Sequence, residues 1–339
     1  MRKVLIVGFG SIGQRHLRLI RESLPSAEIM IFRHQPTASI PKWANFVACS
    51  IDEVRRFSPE VAVIANPAPF HLEISTVLAN LGCHLLIEKP ISDTSVGVFE
   101  LIKSCRAANI ICQVGYNMRY SQSLLQFREF INAELIGQPL AVRCEVGQYL
   151  PSWRPETDYT KGVSANRRLG GGVLLELSHE LDYLRWIFGE VDWVSGWVGN
   201  VGNLVVDVED TAHLTFSCRF SGSGKSIIVN LNMDFIRRDT TRTCTVIGES
   251  GSLRWNGVGG TVEFYEPGCK GWRELVADPG ECDDSYRAQW RDFLSSISCS
   301  RKPLVDAVDA LKVLEIIDAA RMSAQNNGVQ ETLNENKFT

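Results

Sequence analysis

Three glycines at fixed spacing open the chain's chemistry: Gly8-Phe9-Gly10-Ser11-Ile12-Gly13 follows the apolar run Val4-Leu5-Ile6-Val7 and leads into a helical stretch. A G-x-G-x-x-G run between strand and helix is suited to holding a pyrophosphate. Gly8 allows the tight turn, Gly10 lets the backbone approach the phosphates, and Gly13 lets helix and strand pack closely. The helix N-terminus, from Ser11 and Ile12 onward, offers free N–H groups to the anion. The second strand ends in Phe32-Arg33-His34, with no carboxylate to bond a ribose 2′-hydroxyl. Arg33 can instead hold a 2′-phosphate as a bidentate partner. With His34 beside it, this end of the site accepts NAD or NADP and favours NADP.

Further polar residues fall at the carboxyl ends of expected strands, where open α/β sheets bind ligands. They are Asn66-Pro67 with His71, then Glu88-Lys89-Pro90, then Gly115-Tyr116-Asn117 with Arg119. Asn66, Pro67, His71, Glu88, Lys89 and Asn117 are candidate cofactor contacts, and Arg119 a candidate substrate contact. With the Gly8–Gly13 loop, the Pro67…His71 segment, Glu88-Lys89-Pro90, and Gly170-Gly171-Gly172 followed by His179, the sequence resembles the Gfo/Idh/MocA family of NAD(P)-dependent sugar and cyclitol oxidoreductases. The resemblance runs to about residue 325, and Glu-Lys-Pro is its most specific mark.

The chemistry this implies needs a proton carrier. Oxidising a secondary alcohol removes a hydride from carbon and a proton from oxygen, and a side chain must take that proton. A desolvated lysine has a lowered pKa and suits the task. The resemblance implies that Lys89 lies between cofactor and substrate. Glu88 adjoins it, but neighbouring strand residues face opposite sides and need not pair. The same resemblance makes His179 an acid/base, or a hydrogen-bond partner of the reacting hydroxyl.

His179 falls in an expected helix at Val173–Phe188. Leu174, Leu177, Leu181, Leu184 and Phe188 form one apolar stripe of it. Glu176, His179, Asp182, Tyr183 and Trp186 lie off the stripe, which suggests a second buried or cleft-lining surface. Many family members carry an Asp four residues before the His. Here position 175 is Leu, and Glu176 stands three before. Residues three apart share a helix side, so Glu176 can replace that Asp against a substrate hydroxyl. Asp182 is a further candidate substrate contact.

Tyr149–Arg168 is expected to be a long loop. Its Tyr149, Trp153 and Arg168, with Arg154 and Arg167, can stack on a sugar or nucleobase and bind phosphate. The stretches Glu-Val-Gly-Gln-Tyr-Leu-Pro and Glu-Leu-Ser-His-Glu-Leu-Asp-Tyr-Leu-Arg-Trp resemble members associated with bacterial surface-sugar synthesis.

These residues need a scaffold. Strands and helices alternate through the first third: strands at Lys3–Val7, Glu28–Phe32, Asn45–Cys49, Val61–Ala65, His84–Ile87 and Ile110–Gly115, helices at Ile12–Leu24, Ile51–Phe57 (capped by Ser50), Phe70–Leu81 and Asp93–Ala108. Alternation of this kind implies a doubly wound parallel sheet. After a helix at Leu124–Leu135 and a strand at Leu140–Leu150, the pattern changes. Strands at Val191–Val198, Ala212–Cys218, Ser226–Met233, Thr243–Gly248, Ser252–Trp255 and Thr261–Tyr265 are joined by Gly-rich turns such as Ser221–Gly224 and Gly257–Gly260. Short turns between successive strands imply a mainly antiparallel sheet. Helices near Asp284–Ile297 and Asp306–Gln325 close the fold, and the polar tail Asn326–Thr339 is expected to fray. The reading is α/β: a Rossmann domain over 1–120, and an α+β substrate-binding and oligomerisation domain with an open antiparallel sheet over 121–339.

Composition narrows the partners. With 339 residues, 45% hydrophobic and 22% charged, the chain reads as an ordinary globular protein of about two domains. A net charge of -4, with no Lys/Arg block, argues against nucleic acid. No apolar run approaches the roughly 20 residues of a membrane helix. No leader precedes the first strand, and the ten cysteines are scattered without C-x-x-C or zinc spacing. Free, mostly buried thiols in the cytoplasm and no metal are expected. The alternating strand Ser226–Met233 suggests a homodimer or homotetramer built on the second sheet. The expected activity is hydride transfer between NAD(P) and a secondary carbinol of a sugar, sugar nucleotide or cyclitol. Its alternatives are an NAD-dependent glycoside hydrolase of the same fold and a non-catalytic nucleotide sensor.

Overall fold

The computed structural model describes residues 1–34, 39–220 and 224–333. The chain divides into two compact units: Met1–Tyr116 with Tyr286–Leu314, and Asn117–Ser285 with Glu315–Thr339.

The first unit alternates β1 (Lys3–Val7), α1 (Ser11–Ser23), β2 (Glu28–Phe32), β3 (Phe46–Ala48), α2 (Ile51–Phe57), β4 (Val61–Ile64), α3 (His71–Asn80), β5 (His84–Ile87), α4 (Val98–Ala107) and β6 (Cys112–Val114). All neighbouring strands pair in parallel, in the order β3-β2-β1-β4-β5-β6. Strands buried on both faces read as unbroken apolar runs. Accordingly Val4, Leu5 and Ile6, Val61 to Ile64, and Leu85 to Ile87 are fully buried. The strand order reverses between β1 and β4, and the carboxyl ends of those two strands flank a crevice suited to a dinucleotide. Helix α2 starts on a capping box, Ser50 with Glu53, as the sequence suggests. Helix α4 starts later than expected, at Val98, behind the N-cap Gly97 at φ +82.

The first unit also takes back Tyr286–Leu314, a segment that a linear division at residue 120 assigns to the second domain. Helix α8 (Asp284–Ser298) places Trp290 and Phe293 in the core with Leu17, Ile20, Val4, Ile6 and Leu86. At the sheet edge, the Val114 N–H donates to the Val305 carbonyl.

In the second unit, α5 (Gln122–Asn132), α6 (Val173–Glu176) and α7 (His179–Phe188) accompany a nine-stranded sheet. Its strands are β7 (Pro139–Gly147), β8 (Glu190–Gly199), β9 (Thr211–Arg219), β10 (Ser226–Asp234), β11 (Thr241–Gly248), β12 (Gly251–Asn256), β13 (Thr261–Tyr265), β14 (Arg273–Ala277) and β15 (Glu331–Thr332), and α9 (Ala307–Gln325) lies between the last two in sequence. The order is β14-β13-β12-β11-β7-β10-β9-β8-β15. Pairing is antiparallel except between β7 and β10. Strand β10 alternates cleanly: Ile227, Val229, Leu231 and Met233 are buried, while Ser226, Ile228, Asn230 and Asn232 are exposed. Each buried aliphatic chain contributes roughly 1.5–3 kcal/mol, so a one-residue slip of register is disfavoured.

Three expectations change. The helix expected at Val173–Phe188 is two helices, broken at Leu177-Ser178. The Ser178 hydroxyl donates to the Leu175 carbonyl at 2.9 Å, a local bond that competes with helix continuation. The tail does not fray over its first half: Glu331 and Thr332 pair with β8, and the Leu333 N–H donates to the Asp192 carbonyl. Strand β14 was not anticipated, because Arg-Glu-Leu-Val-Ala gives no alternating pattern. The turn at Ser221–Gly224 lies outside the described residues except for Gly224.

Candidate functional site

In the first unit the glycine loop turns at Gly8 (φ +88), whose N–H donates to the Phe32 carbonyl. A Cβ on Gly8 would lie 2.7 Å from the Asn66 nitrogen, and one on Gly13 would lie 2.4 Å from the Gly8 carbonyl oxygen. Around a Cβ on Gly10 there would be nothing within 4 Å. Two of the glycines are therefore demanded by the protein's own packing. The third leaves open space at the start of α1, where no side chain caps the helix and its first turn carries no acid. Ser11 is exposed there, while Ile12 packs inward against the core. Asn66 donates its Nδ2 to the Phe70 carbonyl, and its buried Oδ1 has no hydrogen-bond partner. An uncapped helix N-terminus, a glycine facing open space and an unsatisfied amide oxygen fit a dinucleotide. Arg33 is half-buried, with its backbone N–H on the Ala48 carbonyl, and His34 is exposed.

The segment following β5 is tightly held. Glu88 is buried, and its Oε1 lies 2.6 Å from Nε2 of His16, a buried residue of α1. Its Oε2 accepts the Lys89 backbone N–H at 3.3 Å. A Cβ on Gly115 would come within 2.9 Å of the same oxygen, so a side chain there would displace the Glu88 carboxyl group. His71 is buried, with Nδ1 3.0 Å from the Pro90 carbonyl and Nε2 2.6 Å from the Asn66 carbonyl. Burial pushes the His71 pKa below the ordinary histidine value, against the pull of those two carbonyls and of the Glu88 charge. His71 thus ties the turn after β4 to the one after β5. Pro67 opens the short 3-10 turn between β4 and α3. Lys89 is half-buried.

In the second unit, Arg119 and Asp182 face each other. Arg119 Nε and Nη2 donate to the two Asp182 oxygens at 2.8 and 2.6 Å, and both residues are buried. The pair ties the 3-10 turn Asn117–Tyr120 to α7. Asn117 is buried, with its Nδ2 on the Ser285 hydroxyl at 2.8 Å. Helix α7 is buried on more than its leucine stripe: Glu180, Asp182 and Tyr183 have no exposure. Glu180 accepts from Arg242 Nε at 2.7 Å. The Tyr183 hydroxyl meets Cys144 Sγ at 3.0 Å, and burial raises its pKa, with the neighbouring Cys144 and Glu180 adding to the rise. These contacts seat the helix that begins with His179, itself half-buried.

The helix break overturns one argument. Glu176 ends α6 and His179 begins α7, so the two do not share a helix side; Glu176 instead accepts from the Ser164 hydroxyl at 3.0 Å. In the preceding loop, Tyr149 lies under the Arg238 guanidinium at 3.6 Å. Trp153 donates to the Gln148 carbonyl and packs edge-on against Phe235. Arg167 and Arg168 are both exposed, Arg167 with its backbone N–H and its Nε on Asp207.

The structure thus gathers Gly8, Gly13, Asn66, His71 and Glu88 within the first unit, and joins Arg119 to Asp182 within the second. Sequence reasoning missed His16 and the Glu180–Arg242 pair. His16 had a signal: it stands three residues after Gly13, polar on the buried face of α1. Among the described residues, no group of three or more His, Cys, Asp or Glu could hold a metal ion, and no helix is long and apolar enough to cross a membrane.

Comparison with known proteins agrees with this architecture. The chain is 25% identical over 277 residues, 78% of each chain, to the myo-inositol 2-dehydrogenase of Thermotoga maritima. It is 27% identical over 325 residues to the rhizopine catabolism protein MocA of Rhizobium meliloti, covering 93% of this chain and 92% of that one. Among solved structures, the WlbA dehydrogenase from Bordetella pertussis in complex with NADH and UDP-GlcNAcA superposes with a TM-score of 0.80 at 19% identity, covering 98% of this chain and 99% of that one. A levoglucosan dehydrogenase in complex with NADH and L-sorbose gives a TM-score of 0.85 at 18% identity, covering 99% of both chains. At such identities the structural likeness establishes the fold. Residues 2–116 match the oxidoreductase family's NAD-binding Rossmann fold and residues 128–331 its C-terminal alpha/beta domain. With both halves matched, the chain belongs to the Gfo/Idh/MocA oxidoreductase family.

Proposed function

We propose that this protein transfers a hydride between NAD(P) and a secondary carbinol or ketone of a sugar, sugar nucleotide or cyclitol. The observation that carries the reading is the reversal of strand order between β1 and β4, with the glycine loop, Asn66 and the Glu88-Lys89-Pro90 segment all at carboxyl ends of neighbouring strands. Gly8, Gly10, Ser11, Ile12 and Gly13 would hold the pyrophosphate, with Arg33 and His34 toward the adenosine ribose. Asn66, Pro67 and Glu88 would complete the cofactor site, with His71 fixing the turns that form it. Bound nicotinamide accepts or supplies the hydride. Lys89 would take the hydroxyl proton in oxidation and return it in reduction, and the family resemblance implies an acid/base or hydrogen-bonding role for His179.

Tyr149, Trp153 and Arg168 would line the route of a larger sugar. Arg119 and Asp182, committed to one another, would act by seating α7 rather than by touching substrate. Arg33, in the absence of an acid after β2, favours NADP. The named substrates of the relatives, inositol and anhydro- or nucleotide-linked sugars, support a polyhydroxylated ring. All ten cysteines are free, which suits a reducing cytoplasm.

The test is a screen of cyclitols, sugars and nucleotide sugars against NAD and NADP, read by reduced-nicotinamide absorbance. On the substrate found, Lys89→Ala should lower kcat by about 10²–10⁴-fold while cofactor still binds. Unchanged turnover in that variant would remove Lys89 from the mechanism.

A further inference from the structure

We propose that His16 is a positioning residue for Lys89, acting through Glu88. The inference rests on Lys89 being the base, as read above. It starts from a buried polar pair between α1 and the segment after β5. The buried face of α1 is otherwise Gly13, Leu17, Leu19 and Ile20. A buried ion pair is often replaced by apolar side chains of equal volume without loss of stability. An imidazole and a carboxyl group are kept here nonetheless, 72 residues apart in sequence and 2.6 Å apart in space.

The carboxyl group links α1 to the reactive segment. One oxygen meets His16, and the other receives the Lys89 backbone N–H. Gly115, which follows β6, has no room for a Cβ beside it. From α3, His71 holds the next carbonyl, that of Pro90. The three residues Glu88-Lys89-Pro90 are thus pinned from two helices, and the pin on the α1 side is His16. The same helix begins at the glycine loop, so the element that would seat the cofactor phosphates also fixes the segment that carries the amine.

The groups facing this pair are few. The Tyr286 ring of α8 stands edge-on to His16 with centroids 5.9 Å apart, and the Arg15 guanidinium lies 4.8 Å from the centroid of the same ring. The Glu88 charge also favours protonation of His71, against burial. The contact with the imidazole fixes where that carboxyl group points. Without it, the carboxylate loses its anchor on α1, and the segment that carries the amine is held only from the α3 side.

Lysine reactivity reads this directly and needs no substrate. The full chain is labelled with trace acetic anhydride at pH 8. Peptide mass spectrometry then gives labelling of Lys89 relative to Lys161, which is 83% exposed in its side chain. His16→Leu should change relative labelling of Lys89 by about threefold or more, as the segment loses a hydrogen-bonded anchor. His16→Gln, which restores an N–H toward Glu88, should bring it back to within about twofold of wild type. Labelling of Lys89 in His16→Leu that matches wild type overturns the proposal. If His16→Leu does not fold, Glu88→Gln serves: it weakens the same link to His16 and should change Lys89 labelling by about threefold, and unchanged labelling again overturns it. Turnover of Lys89→Ala tests the role of the lysine separately, so the two readings fail by different results.

Discussion

His71 shows how one buried side chain can serve geometry and set a pH limit. Its two ring nitrogens face carbonyls from two different turns, yet burial holds its pKa below the unfolded value of about 6.5. The unfolded chain therefore takes up this proton first as pH falls. The contribution to stability is complete above about pH 6.5 and is lost as pH drops toward the folded-state pKa. His84 is shifted the same way by burial, and its Nδ1 accepts the Ile111 N–H. Urea unfolding at pH 7.5 and pH 5.5 should show wild type losing stability, with His71 supplying at most about 1.4 kcal/mol per pH unit. His71→Asn should be less stable at pH 7.5 and show a shallower pH dependence; an unchanged slope would remove His71 from this account. At the other end of the site, Arg33→Ala should weaken NADP binding by about tenfold or more, the value of a charge-assisted hydrogen bond, and leave NAD binding nearly unaltered. Equal losses for both cofactors in a fluorescence titration would mean that the 2′-phosphate is met elsewhere.

At the scale of elements, two glycines of one loop do different work. Gly13 is where α1 crosses the β1 turn, and a methyl group there would meet the Gly8 carbonyl oxygen at 2.4 Å. Gly13→Ala should cost about 1–3 kcal/mol of stability by forcing helix from strand, with cofactor affinity falling too. Gly10 sits at φ -72 with nothing near its missing side chain. Gly10→Ala should therefore fold as well as wild type, yet bind NAD(P) at least about tenfold more weakly, because the methyl occupies the approach to the phosphates. Thermal unfolding beside a cofactor titration distinguishes the two, and a Gly10→Ala protein with normal affinity would place the pyrophosphate elsewhere. Helix α7 offers a matching test. Asp182→Ala leaves the Arg119 guanidinium buried without its carboxylate, and breaking such a pair costs about 3–5 kcal/mol. A loss below about 1 kcal/mol in urea unfolding would show that water or another group readily takes the place of Asp182.

For the whole molecule, the second sheet bears on assembly. One face of the nine-stranded sheet carries helices α5, α6 and α7. The register places Trp197, His213, Asn232, Asn230, Thr215 and Ile228 on the opposite face, with Trp197 45% and Ile228 40% exposed. A sheet face with exposed aromatic and aliphatic side chains is suited to pairing with its own copy. We expect a homodimer or homotetramer through this face. Sedimentation velocity at micromolar concentration should show an oligomer for wild type and a shift toward monomer for Trp197→Asp. A wild-type monomer would contradict the expectation.

The sequence by itself determined the parts whose causes are local. Periods of 2 and 3.6 residues placed nearly every strand and helix, and the glycine spacing between β1 and α1 marked the dinucleotide loop. The clusters after β4 and β5 stand at strand ends by the same local pattern. What only the tertiary structure decided depends on pairs far apart in the chain. Residues 286–314 join the first unit because Trp290 and Phe293 fill its core. Arg119 is consumed by Asp182, 63 positions away, and Glu88 by His16, 72 positions away. Periodicity shows which face of an element is buried, but not which buried charge it will meet there. The break at Leu177-Ser178 was hidden for a related reason: an unbroken leucine stripe looks the same whether or not one serine hydroxyl turns back to the chain.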